Sequence, residues 1–121
     1  MKFTLNGDEP IFLQIAKAIE DEIICNRISE GEQVPSTTEI SKRYSINPAT
    51  VLKGMNLLVD RNILYKRRGL GMFVQEGAVE IIRKDRKEQF INEKIGNLLD
   101  EAEKIGITRD ELIELIQKYK G

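Results

Sequence analysis

The sequence predicts a mainly α-helical fold with one small β-hairpin, in the order helix, helix-turn-helix, hairpin, long helix, short helix. Three observations carry that expectation. Two helix starts stand close together, Ser36 with Glu39 and Asn47 with Pro48. Two β-prone runs, "ILYK" and "MFVQ", are joined by the turn-forming "RRGLG". Apolar residues recur at helical spacing on either side of this middle region.

Pro10 opens the first helix, where a missing N–H costs little. Ile11 or Phe12, Ile15, Ile19 and Ile23 follow at helical spacing, with Glu20, Asp21 and Glu22 on the other side. Asn26 can end it in the left-handed conformation that glycine usually supplies. "RISEGEQVPS" then reads as a loop punctuated by Gly31 and Pro35.

Ser36 and Glu39 form a capping box for a second helix of about two turns, ending near Ser45, with Ile40 and Tyr44 as its apolar face. The third helix starts at once, with Asn47 as N-cap and Pro48 at the first helical position. On it, Val51, Leu52, Met55, Leu58 and Val59 gather on one side and are expected in the core. Ala49, Lys53, Asn56 and Asp60 lie opposite, with Thr50 at the margin.

From about Ala78 the chain reads as helix again. Phe90 or Ile91, then Ile95, Leu98, Ala102 and Ile105, alternate spacings of four and three, a coiled-coil-like stripe. Gly106 interrupts it. Thr108 and Glu111 make a second capping box, for a last helix carrying Leu112, Leu115, Ile116 and Tyr119. A helix of about 25 residues spans about 38 Å. Its stripe would stay in water unless a second chain covers it or the last helix folds back on it as a hairpin.

Composition narrows the function classes. The chain has 121 residues, enough for one domain with a small appendage. It contains no histidine, which removes imidazole acid–base chemistry, histidine triads and the common zinc sites. No nucleophile or metal constellation stands out, so neither an enzyme nor a cofactor is expected. Cys25 is alone and has no basic neighbour to activate it, so an inert thiol is expected. The first residues are too polar for a signal peptide and no run approaches membrane-span length, which places the chain in the cytoplasm by expectation.

The net charge of −1 conceals a strong segregation. Residues 1–35 hold 3 basic and 7 acidic groups, a net −4; residues 36–75 hold 7 and 2, a net +5; residues 76–121 hold 9 and 11, a net −2. The middle third alone is basic, the footprint of a polyanion-binding surface.

A helix-turn-helix followed by a basic hairpin is the sequence form of a winged helix, here with two further C-terminal helices. In such motifs the second helix of the pair enters the major groove N-terminus first. That would bring Asn47, Ala49, Thr50 and Lys53 to double-stranded DNA. Ala49 and the Thr50 methyl suit a thymine methyl, and Lys53 suits a guanine or a phosphate. Ser36, Thr37 and Thr38 offer hydroxyls and free N–H groups to phosphate. Lys66, Arg67 and Arg68 are expected together at the wing tip, with Gly69 and Gly71 permitting a tight turn and close approach to DNA. A protein-interaction module whose basic face meets an acidic partner is the competing reading.

"EPIFLQIAKAIEDEI", "EGEQVPSTTEISKRYSINPATVLKGMNLL" and "ILYKRRGLGMFV" together resemble the N-terminal domain of GntR-family transcription regulators over residues 9–75. The carrying features are the PIxLQI opening, Pro35-Ser36, Asn47-Pro48-x-Thr50-Val51 and Arg67-Arg68-Gly69-x-Gly71-x-Phe73-Val74. The resemblance implies a DNA-binding domain over 1–76 and a two-helix dimerisation segment over 77–121. About 46 residues follow the wing, too few for an effector domain of ordinary size, which is similar to the YtrA subfamily. That subfamily implies a homodimeric repressor of an ABC-transporter operon, acting on a two-fold operator, with its effector undefined. The dimer would bury Ile91, Ile95, Leu98, Ala102, Ile105, Leu112, Leu115 and Ile116. Thr38 stands where many members carry Arg, Ala49 where a larger polar residue is common, and Asn26 where glycine is usual.

Overall fold

The structure, a computed structural model, describes residue 1 and residues 7–121. It divides into two compact units, Met1–Arg83 and Lys84–Gly121.

Three helices form the frame of the first unit: α1 (Ile11–Ile24), α2 (Thr37–Tyr44) and α3 (Pro48–Asp60). Pro10 is the N-cap of α1 rather than its first helical residue, and its carbonyl accepts the Leu13 and Gln14 N–H groups. Ile15, Ile19 and Ile23 point from α1 into the core, where they meet Ile40, Val51, Met55 and Leu58. Both capping features of α2 and α3 form as expected. Ser36 and Glu39 bond reciprocally, and the Asn47 side chain accepts the Ala49 N–H at 2.8 Å.

The core face of α3 is Val51, Gly54, Met55 and Leu58, which corrects the expectation for Leu52. Leu52 is 40% exposed, because the contact with α1 is centred on Gly54 and turns Leu52 outward. A β-carbon at Gly54 would lie 2.7 Å from the Phe12 carbonyl oxygen and 3.3 Å from the Ile15 side chain. The two helices thus meet almost backbone to side chain.

Each helix end uses the same device. At the ends of α1, α2 and α3 a residue takes positive φ: Asn26 at 61°, Ser45 at 54° and Asn62 at 60°. The following N–H reaches five residues back, Arg27 to Glu22, Ile46 to Ser41 and Ile63 to Leu58. This is the Schellman motif, whose apolar residue after the left-handed position packs back on the helix. Ile46 and Ile63 fill that place and are buried.

Strands β1 (Leu64–Arg67) and β2 (Gly71–Val74) pair antiparallel, with Leu64 opposite Val74 and Arg67 opposite Gly71. Each element lies one residue away from the span read in the sequence. The segment expected to be only a loop supplies a third edge. Gln33 bridges to Phe73, the Gly31 and Val34 N–H groups donate to Val74 and Met72, and Val74 donates to Glu32. Glu30 then ties this edge to the next helix, accepting the Gly77 N–H at 3.0 Å and the Val79 N–H at 3.1 Å. Those two donors hold its carboxyl below the usual carboxylate range.

Helix α4 (Ala78–Gln89) begins inside the first unit: Ala78 and Ile82 are fully buried in its core. The division read at 76/77 therefore falls short of the compact unit. The second unit contains a π-helical segment, Phe90–Ile95, then α5 (Gly96–Lys104) and α6 (Arg109–Lys118). Gly106 at φ 79° ends α5 with the same Schellman bonding, Ile107 N–H to Ala102 O at 2.8 Å. The Thr108–Glu111 capping box forms. Among the described residues no helix is long and apolar enough to cross a membrane.

Two outcomes test these contacts. Gly54→Val should lower Tm by several degrees in thermal melts, since overpacking a tight contact costs about 1–3 kcal/mol. Gly54→Ala should do less harm, because alanine's helical preference of about 1 kcal/mol opposes the clash. Glu30→Gln should cost stability most at neutral pH. A carboxyl whose folded pKa is lowered stabilises above its unfolded pKa and loses that advantage as pH falls through the folded value. The Tm gap between wild type and variant should therefore narrow in acid, and a gap independent of pH would contradict the capping role.

Candidate nucleic-acid interface

The residues expected to meet DNA divide into three groups once placed. At the start of α2, Ser36 is committed to its capping box, with Glu39 N–H donating to its hydroxyl at 3.1 Å. The Thr37 hydroxyl turns inward and donates to the Met55 sulfur at 3.6 Å. Its side chain is therefore not offered to a ligand, which corrects the sequence expectation. Thr38 is exposed. The free N–H groups of the first turn remain the anion-directed feature of this helix.

On α3, Asn47, Ala49 and Lys53 are exposed and Thr50 is half-buried. Asn47 spends its carbonyl oxygen on its cap. The Lys53 ammonium lies 4.2 Å from the centre of the Phe12 ring, a cation–π contact that draws it toward α1. Asn56, also on this side, is half-buried, with its side-chain oxygen enclosed.

The wing separates its cations rather than bunching them. Successive strand residues point to opposite faces, so Lys66 shares a face with the buried Leu64 and Val74. Arg67 falls on the other face with Tyr65 and Phe73. Those two rings stack at 5.8 Å, and the Arg67 guanidinium sits 5.2 Å from the Phe73 centroid. Only Arg68 belongs to the turn, where the Leu70 N–H donates to the Arg67 carbonyl at 2.9 Å. The expectation of three cations together at the tip is corrected accordingly: all three are exposed, on two faces and a turn.

The two wing glycines differ. Gly69, at φ 77°, occupies the third position of the turn, has open space around it and supplies only conformation. Gly71, at φ 117°, has the Gln33 amide so close that a β-carbon would lie 2.8 Å from its nitrogen. That amide donates to the Leu70 carbonyl at 2.5 Å and braces the turn from the third edge. Gly71 is thus part of the wing's construction rather than a simple point of approach. Gln33, Leu52 and Leu70 were missed in the sequence. Gln33 had no local signal, and both leucines look like core residues when only their type is read.

A capped helix pair followed by a glycine-turned basic hairpin defines a winged-helix DNA-binding domain. Residues 12–74 match the model of the bacterial regulatory proteins of the gntR family, and the chain belongs to that family. It is 28% identical over 113 residues to the HTH-type transcriptional regulator YhcF of Bacillus subtilis, covering 93% of this chain and 92% of that protein. It is 27% identical over 112 residues to the HTH-type transcriptional repressor YtrA of Bacillus subtilis, covering 93% and 85%. A solved GntR family transcriptional regulator from Listeria monocytogenes shares the fold, with a TM-score of 0.79, 24% identity, and coverage of 96% of this chain and 100% of that one. The chain is a DNA-binding transcriptional regulator, and its relatives are regulators rather than enzymes.

Arg67→Ala with Arg68→Ala should abolish gel shifts at low micromolar protein and leave the melting curve nearly unchanged. With weaker binding still measurable at low salt, the slope of log K against log salt should flatten by about one per lost phosphate contact. An unchanged slope would remove the wing from the interface.

Proposed function

We propose that this regulator is a homodimeric, sequence-specific repressor that occludes a promoter by placing two winged helices on a two-fold symmetric operator. The observation carrying the dimer is the row of apolar side chains left in water in the second unit. Ile91, Ile95, Leu98 and Ile105 are exposed before Gly106, and Leu115 and Ile116 after it, Ile116 at 61%. Such a surface on a short helical unit fits a second copy of the same chain. Two of the residues expected at the dimer seam change in kind. Ala102 is only 6% exposed and Leu112 is half-buried, so both serve the α5–α6 corner first.

The site assignment follows the geometry above. Free N–H groups at the start of α2, Thr38, Lys66, Arg67 and Arg68 supply phosphate affinity, while Asn47, Ala49 and Thr50 on α3 face base edges and Lys53 lies beside them against the Phe12 ring. A two-fold dimer sets its half-sites about one helical turn of DNA apart, or a multiple of it. Repression is favoured by the relative YtrA, a transcriptional repressor whose likeness covers 93% of this chain. The subfamily resemblance extends this to control of an ABC-transporter operon.

The test is assembly and operator binding measured on the same samples. Light scattering should give twice the chain mass for wild type and the single mass for Ile95→Asp with Leu98→Asp. The variant should keep its helical circular dichroism and lose about a hundredfold in affinity for a palindromic duplex, the advantage of linked half-sites. A wild-type monomer that binds the duplex as tightly would overturn the dimeric mechanism.

A further inference from the structure

Leu52 has no place in the core. It is 40% exposed and lies outside the cluster of buried residues and the half-buried side chains packed on it. Its neighbours along the exposed side of α3 are Ala49, three residues before, and Asn56, four residues after, so the three share one surface. Ala49 is exposed. The charge on this side is drawn away, since the Lys53 ammonium is held against the Phe12 ring at 4.2 Å. The first two turns of the helix therefore present an apolar pair, Ala49 and Leu52, beside the capping Asn47 rather than a charged or hydrogen-bonding surface.

Among the groups that base pairs display in the major groove, one is apolar: the 5-methyl of thymine. We propose that Leu52 is a specificity-determining residue which, with Ala49 beside it, selects thymine in each half-site by packing on that methyl group. This rests on the reading of α3 as the helix that enters the major groove. It adds that recognition at these positions runs through methyl contact, not through hydrogen bonds from Lys53. Cytosine, with hydrogen in place of the methyl, leaves the leucine facing a gap, and purines present polar edges there.

The experiment uses the full chain and the tightest duplex it selects from a random pool. Each thymine is replaced singly by deoxyuridine, which keeps the base pair and removes only the methyl. Wild type is expected to lose about fourfold in affinity at one or two positions per half-site, the worth of one buried methyl. Leu52→Ala should bind the thymine and uracil duplexes equally at the position Leu52 contacts, and Leu52→Met should keep a preference for thymine there. Leu52 is exposed, so the melting temperature of both variants should stay near that of wild type, and their full secondary structure is checked by circular dichroism. A wild-type protein indifferent to every uracil, or a Leu52→Ala variant with an unaltered methyl profile, overturns the proposal while leaving sequence-specific binding intact. Failure to select any sequence overturns the parent reading as well.

Discussion

Where α3 crosses α1, the missing side chain of Gly54 lets the helix settle against the Phe12 carbonyl and Ile15. The orientation of α3 depends on this approach. It fixes the rotation of α3 about its own axis, so Val51, Met55 and Leu58 enter the core while Ala49, Leu52 and Lys53 face outward. It also brings the Phe12 ring beneath Lys53. At the far end the same pair is held by Arg61 and Glu20, whose charged groups meet at 2.9 Å with the carboxylate buried. An ion pair with a buried carboxylate is worth more than an exposed one, which contributes little. Helix α3 is therefore held to α1 at its midpoint and again at its C-terminal end.

The wing is built on a second principle, that a two-stranded hairpin alone is marginal in water. Residues 31–34 convert it into a three-edged sheet, and the Gln33 side chain reaches on to brace the turn. Val74 and Leu64 anchor its base in the core, while aromatic stacking of Tyr65 and Phe73 stiffens its outer face. Arg67 lies on this aromatic surface and is more ordered there than a cation free in solvent.

Legibility in the sequence followed the range of the interaction. Helix starts were readable because Ser36 with Glu39, Asn47 with Pro48, and Thr108 with Glu111 act within one turn. Features joining distant residues were not. The pairing of Gln33 with Phe73 depends on a fold already assembled, and nothing in "EGEQV" signals a strand. Ala78 and Ile82 look like ordinary helix residues until the core they close is known. Periodicity assigned Leu52 to the core because its direction lies near the border of the apolar arc, and the glycine contact decides which side of the border it takes. The same reasoning placed Ala102 on an outer stripe, whereas the turn at Gly106 brings α6 over it. The π segment carries no composition signal of its own, and it interrupts the regular repeat of the apolar stripe.

The left-handed helix ends carry a consequence for how this protein can change over time. Asn26, Ser45 and Asn62 each hold a backbone conformation that glycine adopts without a steric penalty, and two of the three are followed by a buried isoleucine that secures the motif. The chain has therefore accepted a small strain at three separate hinges of its DNA-binding unit while keeping the fold well determined. Each is a reserve of stability reachable by a single substitution on the surface. A lineage under pressure to alter its reading helix, where new side chains tend to destabilise, would have such positions available as compensation. The corners of the unit can in this way finance variation at its centre.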